Sequence, residues 1–267
     1  MCRLLGIVSN EPTDFKIVLR EATRSLAVLS KEHRDGWGLA VFDEEATGWR
    51  LDKGVACAGE DERFHRLALG TRGEVLVSHV RQKTVGETSL VNTHPFERGR
   101  WVFAHNGTIK DVAWLRSGCS PERLLEIRGE TDSELLFAWL LTCLDRAGVA
   151  HSPAGHETDH AIGAAMHAAH EHAGLGAYNF LLSDGDCLYA HRLGRTMHLL
   201  ERGPHDTPRS SRRSRDGTVV ETPWSQRRTA VFVASEKITD EPWQEVGDRM
   251  LLRLDRVPLP RWRLVAT

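Results

Sequence analysis

Residues 1–10 read Met1-Cys2-Arg3-Leu4-Leu5-Gly6-Ile7-Val8-Ser9-Asn10. A cysteine follows the initiator methionine and leads straight into a short apolar run. Taken alone, Cys2 is a small hydrophobe at the head of a first strand, since free cysteine is among the most buried residue types. Processing offers another reading. Methionine aminopeptidase generally removes Met1 when the next residue is small, and Cys2 would then carry a thiol and a free α-amine together. An α-amino group titrates at about 7.7–8.0, so one residue can supply both the nucleophile and the base that takes its proton. The choice between these readings depends on what the other segments can build around it.

With 267 residues the chain is long enough for a full hydrophobic core. A hydrophobic share of 40% and a charged share of 27% fit an ordinary globule. A net charge of −2 gives no reason to expect nucleic acid or a membrane as partner. Cys2, Cys57, Cys119, Cys143 and Cys187 are widely spaced, odd in number and form no CxxC. They read as reduced thiols in a cytoplasm, not as a disulfide framework or a zinc site. The apolar run 4–8 is too short for a signal peptide. The longest apolar stretch, 135–144, is about half a membrane span.

Runs rich in β-branched or aromatic residues predict strands over 4–8, 38–42, 75–81 and 101–105. A later set falls at 178–183, 187–192, 197–200, 230–234 and 250–254, and Asp184-Gly185 marks a hairpin. Between the sets, Phe15, Leu19, Ala22, Leu26 and Leu29 recur at helical spacing. Thr131-Asp132-Ser133-Glu134 has the form of a capping box, followed by an apolar face of Leu135, Leu136, Trp139, Leu140 and Cys143. The Ala-rich stretch 157–172 is a further helix. Strands, then helices, then strands suit a layered α+β domain and not a regular βαβ alternation. The polar, basic stretch 203–228 reads as a mobile surface loop within a single domain spanning 2–267. His156, His160, His167, His170 and His172 could form a metal patch, but no carboxylate or cysteine joins them at a fixed spacing. A solvated helix is the simpler reading, and no metal is expected.

Five further segments carry chemistry: HRDGWGLAVF (33–42), SHVRQKT (78–84), NTHPF (92–96), FAHNGTI (103–109) and GETDSE (129–134). The glycines of the first stand at a strand start, where backbone must approach something closely. Each of the others has a plain structural reading. Asn106-Gly107 is a good hairpin turn, and Arg81 ends a strand at the surface. Asp132 is favourable charge in a first helical turn. His94 and His105 read as structural, hydrogen-bonded histidines.

Taken in this order behind a penultimate cysteine, the segments resemble the class II glutamine amidotransferases of the N-terminal-nucleophile hydrolase superfamily, in their small stand-alone form. The resemblance implies a four-layer αββα sandwich, with two antiparallel sheets between helical layers. It implies that Cys2 attacks the side-chain amide of glutamine to form a γ-glutamyl thioester. Asn106 and Gly107 would donate to the oxyanion. Arg81, with Thr84 three residues on, would hold the substrate α-carboxylate, and Asp132 the α-ammonium. No cofactor is implied.

Gln82 and Val85 stand where the family often has tryptophan and histidine, and Glu32-His33 replaces a common Arg-Gly pair. These departures touch the loops that cover the substrate and leave its identity open. Glutamine hydrolysis, with ammonia passed to a partner protein or released, is one outcome. Hydrolysis of a larger γ-glutamyl thiol compound, as in ergothioneine biosynthesis or glutathione breakdown, is a second. A non-catalytic domain that binds a ligand or partner in the same pocket is a third.

Overall fold

The computed structural model describes residues 2–44, 48–203, 212–213, 219–220 and 228–267. Most of the 203–228 stretch read as a mobile loop therefore lies outside the described residues.

Side-chain alternation along the first strand sets the layering. In β1 (Arg3–Asp14), Leu5 and Ile7 join a core beneath short helices, whereas Leu4 and Val8 face a second sheet. A strand buried on both faces reads as a continuous apolar run, as the sequence does. A π-helical turn (Ile17–Glu21), α1 (Leu26–Leu29) and α2 (Glu62–Gly70) cover the outer face of this sheet. Its other early strands are β2 (Trp37–Asp43), β3 (Gly48–Gly54) and β4 (Arg72–Val80). The second sheet begins with β5 (Phe96–Arg98) and β6 (Trp101–Ile109). Helices α3 (Val112–Gly118), α4 (Pro121–Leu125), α5 (Asp132–Arg146) and α6 (His156–Glu171) follow. Next come β7 (Gly176–Ser183), β8 (Cys187–His191) and β9 (His198–Arg202). The short β10 (Arg212–Arg213) and β11 (Val219–Val220) pair with each other. The chain closes with β12 (Ala230–Ala234), β13 (Gln244–Glu245), β14 (Leu251–Asp255) and β15 (Arg261–Val265).

The seven-stranded sheet runs β13-β9-β12-β1-β4-β2-β3 and the six-stranded one β15-β14-β8-β7-β6-β5. Every pairing is antiparallel. Helix α5 is apolar almost all round because α3, α4, α6 and β6 surround it. Helical layers thus flank two facing sheets, the expected four-layer α+β sandwich.

Several expectations needed correction. The helical spacing over 15–29 is realised as two separate short turns, with Ala22 already extended between them. Strand β3 was invisible because its half-exposed edge position tolerates Arg50, Asp52 and Lys53. Helix α2 is capped by Asp61, whose side chain accepts from the Arg63 N–H at 2.8 Å. Asn106 and Gly107 are not a turn. They lie within β6, paired with Asn179 and Tyr178.

Candidate active site

Register places the thiol. Arg3 pairs with Val80 and Leu4 with His79, so the head of β1 lies beside the end of β4. The chain leaving β4 then runs past Cys2. The Gln82 N–H donates to Cys2 Sγ at 3.3 Å, and the thiol faces the Gln82 carbonyl at 3.4 Å. Burial pushes the Cys2 thiol above its ordinary pKa, while the Gln82 N–H and the Arg81 charge pull the other way. Gln82 extends its side-chain oxygen to His33 Nδ1 at 3.3 Å.

Alternation brings further groups to the same space. Cys2 shares the face of Leu4 and Val8, and His79 that of Val75 and Val77. On the second sheet Asn106 shares the face of Val102 and Ala104, and Asn179 that of Leu181. Strands β1 and β4 lie against β6, and His79 lies beside His105. The thiol and Asn106 therefore face the same end of the inter-sheet layer. Asn106 is buried, and among the described residues its side-chain amide has no hydrogen-bond partner. At Gly107 an added Cβ would lie 1.8 Å from the Ala177 carbonyl oxygen, so only glycine lets β7 approach here. Gly38 meets the same constraint, with the His94 carbonyl 2.0 Å from its hypothetical Cβ. That is the close approach expected of the glycines in 33–42.

Asp132 opens α5. Its Oδ2 accepts from the Ile109 N–H at 2.6 Å and its Oδ1 from the Ser133 N–H at 3.0 Å, which fixes the carboxylate against the end of β6. The capping box forms only in part. Thr131 caps Glu134 N at 3.2 Å, but the Glu134 carboxylate accepts from the Arg128 and Gly129 N–H groups and from Arg98. Arg81 is buried, and its guanidinium donates to the carbonyls of Glu87 (3.0 Å), Val85 (3.0 Å) and Gly86 (3.3 Å). It holds its own loop in place. Thr84 lies exposed in that loop. Asn92 donates to the Glu87 carbonyl at 3.0 Å and accepts from the Glu130 N–H at 2.9 Å, tying the loop to the approach to α5.

The histidines divide. His105 is held as expected, its Nδ1 on Ser133 Oγ at 2.8 Å. His94 differs: its ring packs at a tilt against His79 at 4.3 Å and Phe96 at 4.5 Å between centroids, and neither ring nitrogen has a partner among the described residues. Burial lowers His79 to about 3 and His33 to about 4. In and just after α6, where a metal patch is the alternative reading, His170 pairs with His191 at 3.0 Å and His172 with Asp111 at 2.9 Å. Among the described residues no three potential ligands converge as a metal would need. No helix among them is long and apolar enough to cross a membrane.

Sequence reasoning missed Gln82 as the backbone partner of the thiol, because a backbone contact leaves no residue signature. It also missed Asn179. The available signal was an amide on the inward face of the otherwise apolar run Tyr178–Leu182.

Two antiparallel sheets between helical layers, with a cysteine heading the first strand, define an N-terminal-nucleophile hydrolase fold. The glutamine phosphoribosylpyrophosphate amidotransferase of Bacillus subtilis shares it at a TM-score of 0.60 and 16% identity, over 99% of this chain and 49% of that one. The family model for class-II glutamine amidotransferases matches residues 1–256, and the chain belongs to that family. The crystal structure of a predicted glutamine amidotransferase from Pseudomonas aeruginosa superposes at a TM-score of 0.65 with 26% identity, covering 99% of this chain and 100% of that one. The gamma-glutamyl-hercynylcysteine sulfoxide hydrolase of Mycobacterium tuberculosis is 29% identical over 266 residues, 95% of this chain and 93% of its own.

Proposed function

We propose that the chain cleaves a γ-glutamyl amide bond through a thioester on Cys2, with glutamine as the reference substrate. The observation that carries this reading is the Cys2 thiol at the inter-sheet face, opposite a strand that offers the unpartnered amide of Asn106. After removal of Met1, the α-amine of Cys2 takes the thiol proton. The thiolate attacks the γ-carbonyl carbon, and the oxyanion is held by the Asn106 side-chain N–H and the Gly107 backbone N–H. The C–N bond then breaks, and ammonia leaves with the proton carried by the α-ammonium. The α-amine deprotonates a water, which attacks the thioester to release glutamate and restore the thiol.

The thiol pKa supports this assignment. A thiol raised by burial is protonated near neutral pH and needs a base. His79 and His33, lowered to about 3 and about 4, are weak bases there. An α-amine at about 7.7–8.0 is better matched. Asp132, already fixed by two N–H donors, would receive the substrate α-ammonium. Arg81 would receive the α-carboxylate in place of the loop carbonyls it now holds, with Thr84 beside it.

A second reading is hydrolysis of a γ-glutamyl compound with a larger leaving amine. The end-to-end match to a gamma-glutamyl-hercynylcysteine sulfoxide hydrolase favours it.

The test is labelling with the electrophilic glutamine analogue diazo-oxo-norleucine. Processed protein should be modified at Cys2 and lose glutamine turnover in step. Modification at Cys57, Cys119, Cys143 or Cys187 instead would refute the assignment.

A further inference from the structure

A cavity of about 470 Å³ opens where β6 ends and β7 begins, against the last turn of α6 and the turns that carry Arg195 and Arg249. Its charged lining is Lys110, Arg195 and Arg249, and no carboxylate among the described residues lines it. None of these three side chains makes an ion pair or hydrogen bond among the described residues, and the Arg195 Nε is buried without a partner. Two acids lie nearby: Asp111 pairs with His172 at 2.9 Å, and Asp248 accepts from the Gly194 N–H at 2.9 Å and keeps its charge close to Tyr178, so the three cations outnumber them. Arg249 is the one non-glycine among the described residues with positive φ, at 62°. An L-residue adopts that conformation at a cost, and such outliers cluster where a side chain is aimed for a purpose.

The cavity is continuous with the strands of the candidate active site. Thr108 and Ala177 line it, and they lie two residues along β6 and β7 from Asn106 and Asn179. The buried Asn179 amide donates to the carbonyls of Arg195 and Thr196, both at 3.1 Å. Two residues of strand span about 7 Å. Extended peptide advances about 3.3–3.6 Å per residue, so two residues attached through their amine to the γ-carbonyl match the span between those strand positions.

We propose that this cavity receives the terminal carboxylate of the departing half of a γ-glutamyl peptide, with Arg195, Arg249 and Lys110 as its counter-charges. The proposal rests on the γ-glutamyl reading above and narrows it to substrates whose leaving amine is a short peptide with a free carboxylate.

The test compares γ-glutamylglycylglycine with its C-terminal amide. The wild type should show a kcat/KM roughly tenfold or more higher for the carboxylate form, the size of one or two charge-assisted hydrogen bonds. The double variant Arg195→Gln/Arg249→Gln should bring that ratio close to one. A wild-type ratio near one, or a wild-type ratio retained in the double variant, overturns the proposal. A second measurement does not depend on turnover: calorimetric titration of the Cys2→Ser protein with glycylglycine and with glycylglycinamide. Tighter binding of the free acid, lost in a Cys2→Ser protein that also carries both glutamines, supports the cavity assignment. Equal or undetectable binding of the two overturns it. Hydrolysis of glutamine but of neither peptide would refute the γ-glutamyl peptide reading, and the titration then still decides whether the cavity takes a carboxylate.

Discussion

Truncating Asn179 to alanine removes a fully buried amide that makes three hydrogen bonds: to the carbonyls of Arg195 and Thr196, both at 3.1 Å, and from the Leu193 N–H at 2.9 Å. A typical hydrogen bond contributes about 1 kcal/mol net, and a stranded buried partner costs about 1–3 kcal/mol. Three such partners give a loss of about 3–9 kcal/mol, and because these bonds are only partly buried the lower end is expected, where water fills the gap left by the amide. A chain of this size loses about 2–4 °C in Tm per kcal/mol, so a drop of at least about 6 °C is expected. Equilibrium urea unfolding measures the free energy directly, and an unchanged m value would show that the denatured state is not the cause. Asn179→Asp sharpens the test. It keeps the acceptor for Leu193 but turns an oxygen toward two carbonyl oxygens, so it should cost at least as much as alanine. A loss below about 1 kcal/mol for alanine, or an aspartate variant as stable as wild type, would show that the turn is held by something else.

Other outcomes follow from the same geometry. Asn106→Ala should lower kcat by about two to three orders of magnitude with a smaller change in KM; an unchanged kcat, with chemistry rate-limiting, would remove it from the oxyanion site. Arg81→Ala and Asp132→Ala should act through kcat/KM, and wild-type protein should turn over N-acylated or α-esterified glutamine poorly; equal turnover of blocked and free forms would exclude both residues from the pocket. An uncleavable one-residue extension before Cys2 should abolish activity and the acidic limb of the pH–rate profile together, while His94→Ala should leave that limb in place. Stability should fall on acidification. Burial lowers His79 and His191 to about 3 and His33 to about 4, so below the unfolded value of about 6.5 the unfolded chain binds protons that the native one does not. Urea midpoints at about pH 7 and about pH 5 check the sign, and a midpoint that rises on acidification contradicts it.

Much of the layered architecture was legible because both sheets write a two-residue alternation into the chain. Strands β2, β7 and β12 emerged within a residue or two of their observed bounds. What stayed hidden depends on neighbours distant in sequence. The Asn-Gly pair at 106–107 has every local mark of a turn, yet Asn179 and Tyr178 run alongside it and the pairing continues to Ile109. Strand β3 shows no apolar period because it borders solvent. Cys2, Asn106, Gly107, Arg81 and Asp132 can each be named as candidates from their segments. The occupation of the Arg81 guanidinium by its own loop cannot, because its partners are backbone carbonyls, which every residue type possesses.

Asn92 couples the loop after β4 to the approach to α5. One amide joins the Glu87 carbonyl to the Glu130 N–H, and Glu130 returns a carboxylate bond to the Glu87 N–H at 3.2 Å. Arg81 clamps the same Glu87 carbonyl from below. Glu87, Asn92 and Glu130 are thus bound into one cluster, and opening of either segment at these residues strips hydrogen bonds from the other. Deuterium uptake in the two segments should rise together, at one common rate, and substitution of Asn92 should split that rate in two.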